Sequence, residues 1–154
     1  MLQIKRIIVP IDFSEYSKKA FRYAIDFSRT FSAELVLVYV VEPVIYPADF
    51  SFGQVALPSV ESELWSKGSE QLDLLIEKEV PADVYARSVV RSGKPFSEII
   101  RVAEEEEADM IIIATHGHSG IEHVLFGSTA EKVVRKAPCP VLSIRSTDRE
   151  GVVP

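Results

Sequence analysis

The sequence predicts an open, five-stranded parallel sheet with helices on both faces. Five short apolar runs rich in β-branched residues punctuate it: KRIIVPI from Lys5, ELVLVYVV from Glu34, DVYARSVV from Asp83, DMIIIA from Asp109 and PVLSIR from Pro140. Several are apolar almost throughout instead of alternating, which marks strands covered on both faces. Between them lie segments whose apolar residues recur every three or four positions, the signature of helices with one buried stripe.

Each helical segment carries its own pattern. After the first strand, Tyr16, Ala20, Ala24, Phe27 and Phe31 repeat at helical spacing. The second crossover holds a helix over roughly 61–79 containing Leu64, Leu72, Leu75 and Ile76. After the third strand, Pro95 suits a first helical position, and Phe96, Ile99, Ile100 and Ala103 form one stripe. After the fourth, Ala130, Val133, Val134 and Ala137 repeat it. Strand–helix alternation implies right-handed crossovers, with the strands ordered 3-2-1-4-5 in a Rossmann-like or flavodoxin-like α/β fold. Such a sheet reverses its winding between strands 1 and 4, and ligands bind there, beyond the carboxyl ends of those strands. The loops facing that crevice are residues 10–14 and residues 114–129. Residues 1–146 read as one domain and 147–154 as a C-terminal tail.

One connection is long. Residues 43–60 are rich in proline and carry Tyr46, Phe50 and Phe52. A lid over the crevice, a surface for a protein partner and a cover for the sheet edge are all compatible with that composition. The acid run Glu104 to Glu107 reads as a solvated helix end with no assigned function.

Composition narrows the function classes. The chain has 154 residues, 47% apolar and 26% charged, with a net charge of -6. A negative charge opposes general binding to nucleic acid or membrane surfaces, which are polyanionic. Cys139, the single cysteine, has no internal disulfide partner and sits between two prolines, where a thiol is expected to be inert. The opening MLQIKRIIVPID has no hydrophobic signal core and no run reaches membrane length, so a cytoplasmic location is expected.

The segment ATHGHSGIEHVLFGST, residues 114–129, concentrates the unusual chemistry. It holds Gly117, Gly120 and Gly127 and all three histidines, His116, His118 and His123. Three readings compete. Zinc is disfavoured, because no carboxylate or cysteine completes a ligand set at a familiar spacing. A phosphate cradle is the second: Gly117 and Gly120 let backbone N–H groups approach an anion, and Gly127-Ser128-Thr129 opens a helix whose free N–H groups and dipole favour negative charge. The third is purely structural, with Ser128-Thr-Ala-Glu131 as a capping box and the glycines relieving a turn. The residues alone leave phosphate and structure open.

The same residues resemble the universal stress proteins. Their nucleotide-binding branch carries Gly-x2-Gly-x9-Gly-(Ser/Thr) after the fourth strand, and Ala114-Thr-His-Gly117, nine residues, then Gly127-Ser128 reproduces that spacing with alanine for the first glycine. VPIDFSEYSKKAFRYA, ELVLVYVVEP and EKVVRKAPCPVLSIR resemble other parts of the family pattern. The resemblance implies an adenine nucleotide, ATP or a relative such as AMP. Pro10, Ile11 and Asp12 would line the adenosine, Val40 would meet adenine through its backbone, and Ala114, Thr115, His116, Gly117, His118, Ser119, Gly120, Gly127, Ser128 and Thr129 would wrap ribose and phosphates. A Mg²⁺ or Mn²⁺ ion would be held mainly by the phosphates. Because Ala114 ends an extended strand, a small side chain is expected to serve there. Gly127→Val is expected to block the phosphates with its Cβ branches. The resemblance also implies a homodimer through the last strand, Val141, Leu142, Ser143 and Ile144, and a regulatory role in stress. The alternatives are a dimeric protein-interaction module without nucleotide and a slow ATPase or phosphotransferase.

Overall fold

The computed structural model describes residues 1–43, 58–117 and 126–145. Its elements run β1 (Arg6–Pro10), α1 (Glu15–Phe31), β2 (Glu34–Val41), α2 (Pro58–Glu79), β3 (Ala86–Ser92), α3 (Pro95–Glu105), β4 (Met110–Ala114), α4 (Ser128–Lys136) and β5 (Val141–Ile144). All strands pair in parallel, in the order β3-β2-β1-β4-β5. The predicted architecture and strand order are therefore those observed.

Alternation along the strands divides the core in two. Ile7, Val9, Leu35 and Leu37 face a cluster built with Ala20, Phe21 and Ala24 of α1 and Leu72 of α2. Ile8, Val36, Val38, Ile111 and Ile113 face the other side, against Ile99, Val102 and Ala103 of α3 and Ala130 and Val133 of α4. Two faces buried by helices explain strands that read as continuous apolar runs.

Several details differ from the sequence reading. The buried stripe of α1 is Ser17, Ala20, Phe21, Ala24, Ile25 and Ser28, whereas Phe31 is 40% exposed. Small residues along that stripe let α1 lie close to the sheet, and Ser28 donates its hydroxyl to the Ala33 carbonyl at 2.6 Å. Val134 in α4 is likewise exposed. The β3 strand begins at Ala86, because Val84 N–H first closes a turn onto the Pro81 carbonyl at 3.0 Å. The α2 helix begins at Pro58, three residues before the expected start.

The acid run is the main correction at the amino ends of the strands. Glu105 pairs with Arg91, and Glu106 pairs with Arg87 and lies 3.6 Å from Arg6. Glu34 accepts from Arg6 at 2.9 Å and from Arg87 at 2.6 Å. Glu106, part-buried, is thus a clamp that fastens the end of α3 to β1 and β3, while Glu105 remains exposed beside its partner. Burial by itself would raise the Glu34 carboxyl, but the bonds from Arg87 and Arg6 outweigh it and lower its pKa. The bonds to Glu106, foremost, and to Glu34 raise the pKa of the Arg87 guanidinium in turn.

Candidate functional site

The opposite, carboxyl end of the sheet splits open between β1 and β4. These strands pair only at Ile7–Met110 and Ile8–Ile111, while β1 remains paired with β2 as far as Pro10–Val38. Proline explains part of the split. Backbone N–H groups alternate sides along a strand, and Ile11 N–H donates to Val38 in β2 at 2.8 Å. The Pro10 nitrogen therefore faces β4, and having no hydrogen it cannot continue that ladder.

The opening is a cleft of about 570 Å³. Pro10, Ile11, Asp12, Val40, Ala114, Thr115, His116, Gly117, Gly127, Ser128 and Thr129 all line it. His118, Ser119 and Gly120, with His123, fall outside the described residues, as do Tyr46, Phe50 and Phe52 and the tail from 146. Tyr39, Glu42, Leu64, Pro95 and Ile99 also line the cleft and were not singled out from sequence. Pro95 was legible only as a helix start, yet every helix start after a strand faces this edge of the sheet.

Asp12 is held in a tight turn. Its Oδ1 accepts from Ser14 N–H at 2.9 Å and from the Ser14 hydroxyl. Ser14 in turn caps α1, accepting from Ser17 N–H at 3.2 Å, so the helix start itself fixes the carboxylate. The other oxygen, Oδ2, faces Gly117, where a Cβ would lie only 2.6 Å from it. Gly117 has no positive φ, so it is the close approach, not backbone conformation, that calls for glycine. Thr115 is buried, and its hydroxyl lies 2.9 Å from His116 Nδ1. The His116 ring packs 6.1 Å from that of Tyr16 on α1.

Ala114 pairs with Ile144 as the last residue of β4 and has no positive φ, so its methyl is accommodated without backbone strain. At the far side of the loop, Gly127 is the N-cap of α4, and among the described residues no side-chain bond caps that end. The capping-box alternative is thereby corrected: Ser128 is the first helical residue, not the cap, and Glu131 pairs with Arg135 at 2.9 Å. Gly127 N–H donates to the Thr115 carbonyl at 2.6 Å. A Cβ on Gly127 would lie 3.2 Å from that same carbonyl and 3.9 Å from His116 Cα. Its direction is toward the backbone after β4, so a valine there acts first on this contact.

Val40 sits where β2 outruns β1. The Val38 carbonyl accepts from Ile11 and the Val41 carbonyl from Gly93 N–H at 2.9 Å. Alternation turns the amide and carbonyl of Val40 to the β1 side, beyond the point at which β1 has ended. The cleft therefore combines an exposed strand edge, the Asp12 carboxylate and a helix start with no side-chain cap among the described residues, which suit a heterocycle edge, hydroxyls and an anion respectively. Among the described residues no three His, Cys, Asp or Glu side chains gather as metal ligands. Burial raises the Cys139 thiol pKa, and Asp109 adds to the rise, which keeps the thiol protonated. No described helix is long and apolar enough to cross a membrane.

Comparison with known proteins agrees with this fold. The model of the universal stress protein family matches residues 3–145. A universal stress protein of Methanocaldococcus jannaschii is 33% identical over 149 residues, covering 95% of this chain and 85% of that protein. The solved structure of universal stress protein UspA from Lactobacillus plantarum superposes with a TM-score of 0.77 at 28% identity, covering 93% of this chain and 99% of its own. An Arabidopsis thaliana family member solved with AMP bound shares the fold at a TM-score of 0.61 and 17% identity, covering 93% and 92% of the two chains. This chain belongs to the universal stress protein family.

Proposed function

We propose that this protein is a nucleotide-responsive regulator that binds an adenine nucleotide, ATP or AMP, in the cleft between β1 and β4. The observation that carries the reading is the pairing of the α4 start, without a side-chain cap among the described residues, with the Asp12 carboxylate across one 570 Å³ opening. The Val40 backbone edge takes the adenine, with Pro10 and Ile11 beside it. Asp12 accepts from ribose hydroxyls. The amides and hydroxyls of Ser128 and Thr129 take the phosphates, where the helix dipole adds to the attraction. Ala114, Thr115, His116 and Gly117 form the near wall, and His118, Ser119 and Gly120 share in binding ribose and phosphates. A Mg²⁺ or Mn²⁺ ion bound with the nucleotide is held mainly by its phosphates and shields their charge.

The bound state is regulatory, with residues 1–146 as the working domain and 147–154 as a tail. Two copies join through β5, whose residues Val141, Leu142, Ser143 and Ile144 are only half-buried at the edge of the sheet. Tyr46, Phe50 and Phe52 serve a protein partner, and action is in the cytoplasm under stress.

Denaturing protein purified without added nucleotide, and identifying released small molecules by chromatography and mass, tests the reading. Stoichiometric adenine nucleotide is the expected result. An empty protein that also ignores Mg-ATP in titration calorimetry refutes it and leaves the dimeric interaction module in its place.

A further inference from the structure

We propose that Gly68, Tyr39 and Phe13 form a packed relay through which α2 sets the position of the Asp12 carboxylate and so tunes the crevice. The ligand in this inference is that of the proposed function, but the relay itself is built from contacts within the chain.

The relay begins with a rule broken at Phe13. Its φ is 64°, the left-handed region that a bulky side chain rarely occupies. That conformation, next to Asp12, accompanies the turn that brings Asp12 Oδ1 to Ser14 and leaves Oδ2 facing Gly117. Something must hold Phe13 there. Its ring packs on Tyr39, with centroids 5.0 Å apart and planes tilted by 54°.

A second broken rule stands on the other side of Tyr39. Gly68 is buried in the middle of α2, where glycine is a poor helix former. A Cβ there would lie 2.3 Å from Tyr39 Cδ1 and 2.4 Å from Cε1. The ring thus occupies the space that any other residue at 68 would fill, and it is gripped between Phe13 and the α2 backbone. One turn earlier on the same helix, Leu64 lines the crevice directly. The α2 helix therefore reaches the site both as wall and, through two aromatic rings, as the support of its carboxylate. Displacement of α2 would pass to Asp12 through contacts already at packing distance.

Gly68 and Phe13 do not line the crevice, so variants there separate positioning from direct contact. In ligand-free Gly68→Ala, NMR resonances of the Asp12 carboxyl carbon and the Gly117 amide should move from their wild-type positions. Mg-ATP affinity should fall about tenfold, the size of one displaced charged hydrogen bond, and that loss should vanish in an Asp12→Ala background. Phe13→Gly relieves the left-handed backbone while removing the ring, so affinity should fall even where stability does not. Unmoved Asp12 and Gly117 resonances in folded Gly68→Ala would overturn the relay, as would unchanged affinity in Phe13→Gly. Should Gly68→Ala not fold, the Gly117 amide of Phe13→Gly decides instead. If wild-type protein binds no nucleotide, the resonances alone decide the relay, and it is the proposed function that fails.

Discussion

Replacing Gly117 with alanine isolates the contact at the centre of the cleft. The added Cβ would lie 2.6 Å from Asp12 Oδ2, against about 3.4 Å for the start of ordinary contact, so the two must part by roughly 0.8 Å. The backbone gives no other reason for a cost, since Gly117 has no positive φ. A carboxylate pushed by that amount as a unit, away from Ser14, would carry the 2.9 Å bond from Ser14 N–H to Oδ1 beyond hydrogen-bonding range. It also disturbs the hydroxyl that caps α1. Losing one such charged bond costs about 1–2 kcal/mol. Urea denaturation should therefore show a midpoint lower by about 0.5–1 M at an ordinary slope. The decisive comparison is the same substitution in an Asp12→Ala background, where the clash is gone and the cost should fall below about 0.5 kcal/mol. Equal costs in both backgrounds, or none in either, would refute the argument that Asp12 dictates glycine at 117.

Two further outcomes follow from other contacts. The Glu34 carboxyl has a folded pKa below its ordinary value of 4.5, so the unfolded chain binds more protons, and the stability this group supplies is present above that value and lost as pH falls below it. Glu34→Gln should cost about 1–2 kcal/mol at pH 7, discounted for partial exposure. The gap from wild type should narrow in urea titrations as pH approaches 3; a gap independent of pH would show that Arg6 and Arg87 do not depend on its charge. Gly127→Val should lower stability by about 1–2 kcal/mol as well as weaken nucleotide binding, because its Cβ meets the Thr115 carbonyl at 3.2 Å. Lost binding with wild-type thermal stability would instead favour a block within the opening itself.

Much of the molecule was legible in its one-dimensional pattern. Continuous runs such as ELVLVYVV, which is β2 to the residue, announced strands buried on both faces. Periodic stripes and Pro95 located the helices, and strand–helix alternation with right-handed crossovers led to the order β3-β2-β1-β4-β5. Glycine spacing around 117 and 127 then pointed to the edge of the sheet where the cleft lies. These features are local, or follow from rules of connection, and periodicity records them directly.

What escaped that pattern depends on pairs far apart in the chain. The glycine at 68 looks like an error in a helix until Tyr39, from β2, is placed against it. Glu106 reads as one acid among four until Arg6 and Arg87 converge on it from two strands. The Pro10 nitrogen matters because it faces β4, and Gly117 because Asp12 lies opposite. No spacing rule encodes such meetings. They arise when the sheet brings the carboxyl ends of β1, β2 and β4 together, and only close packing then decides which residue can stand at each point.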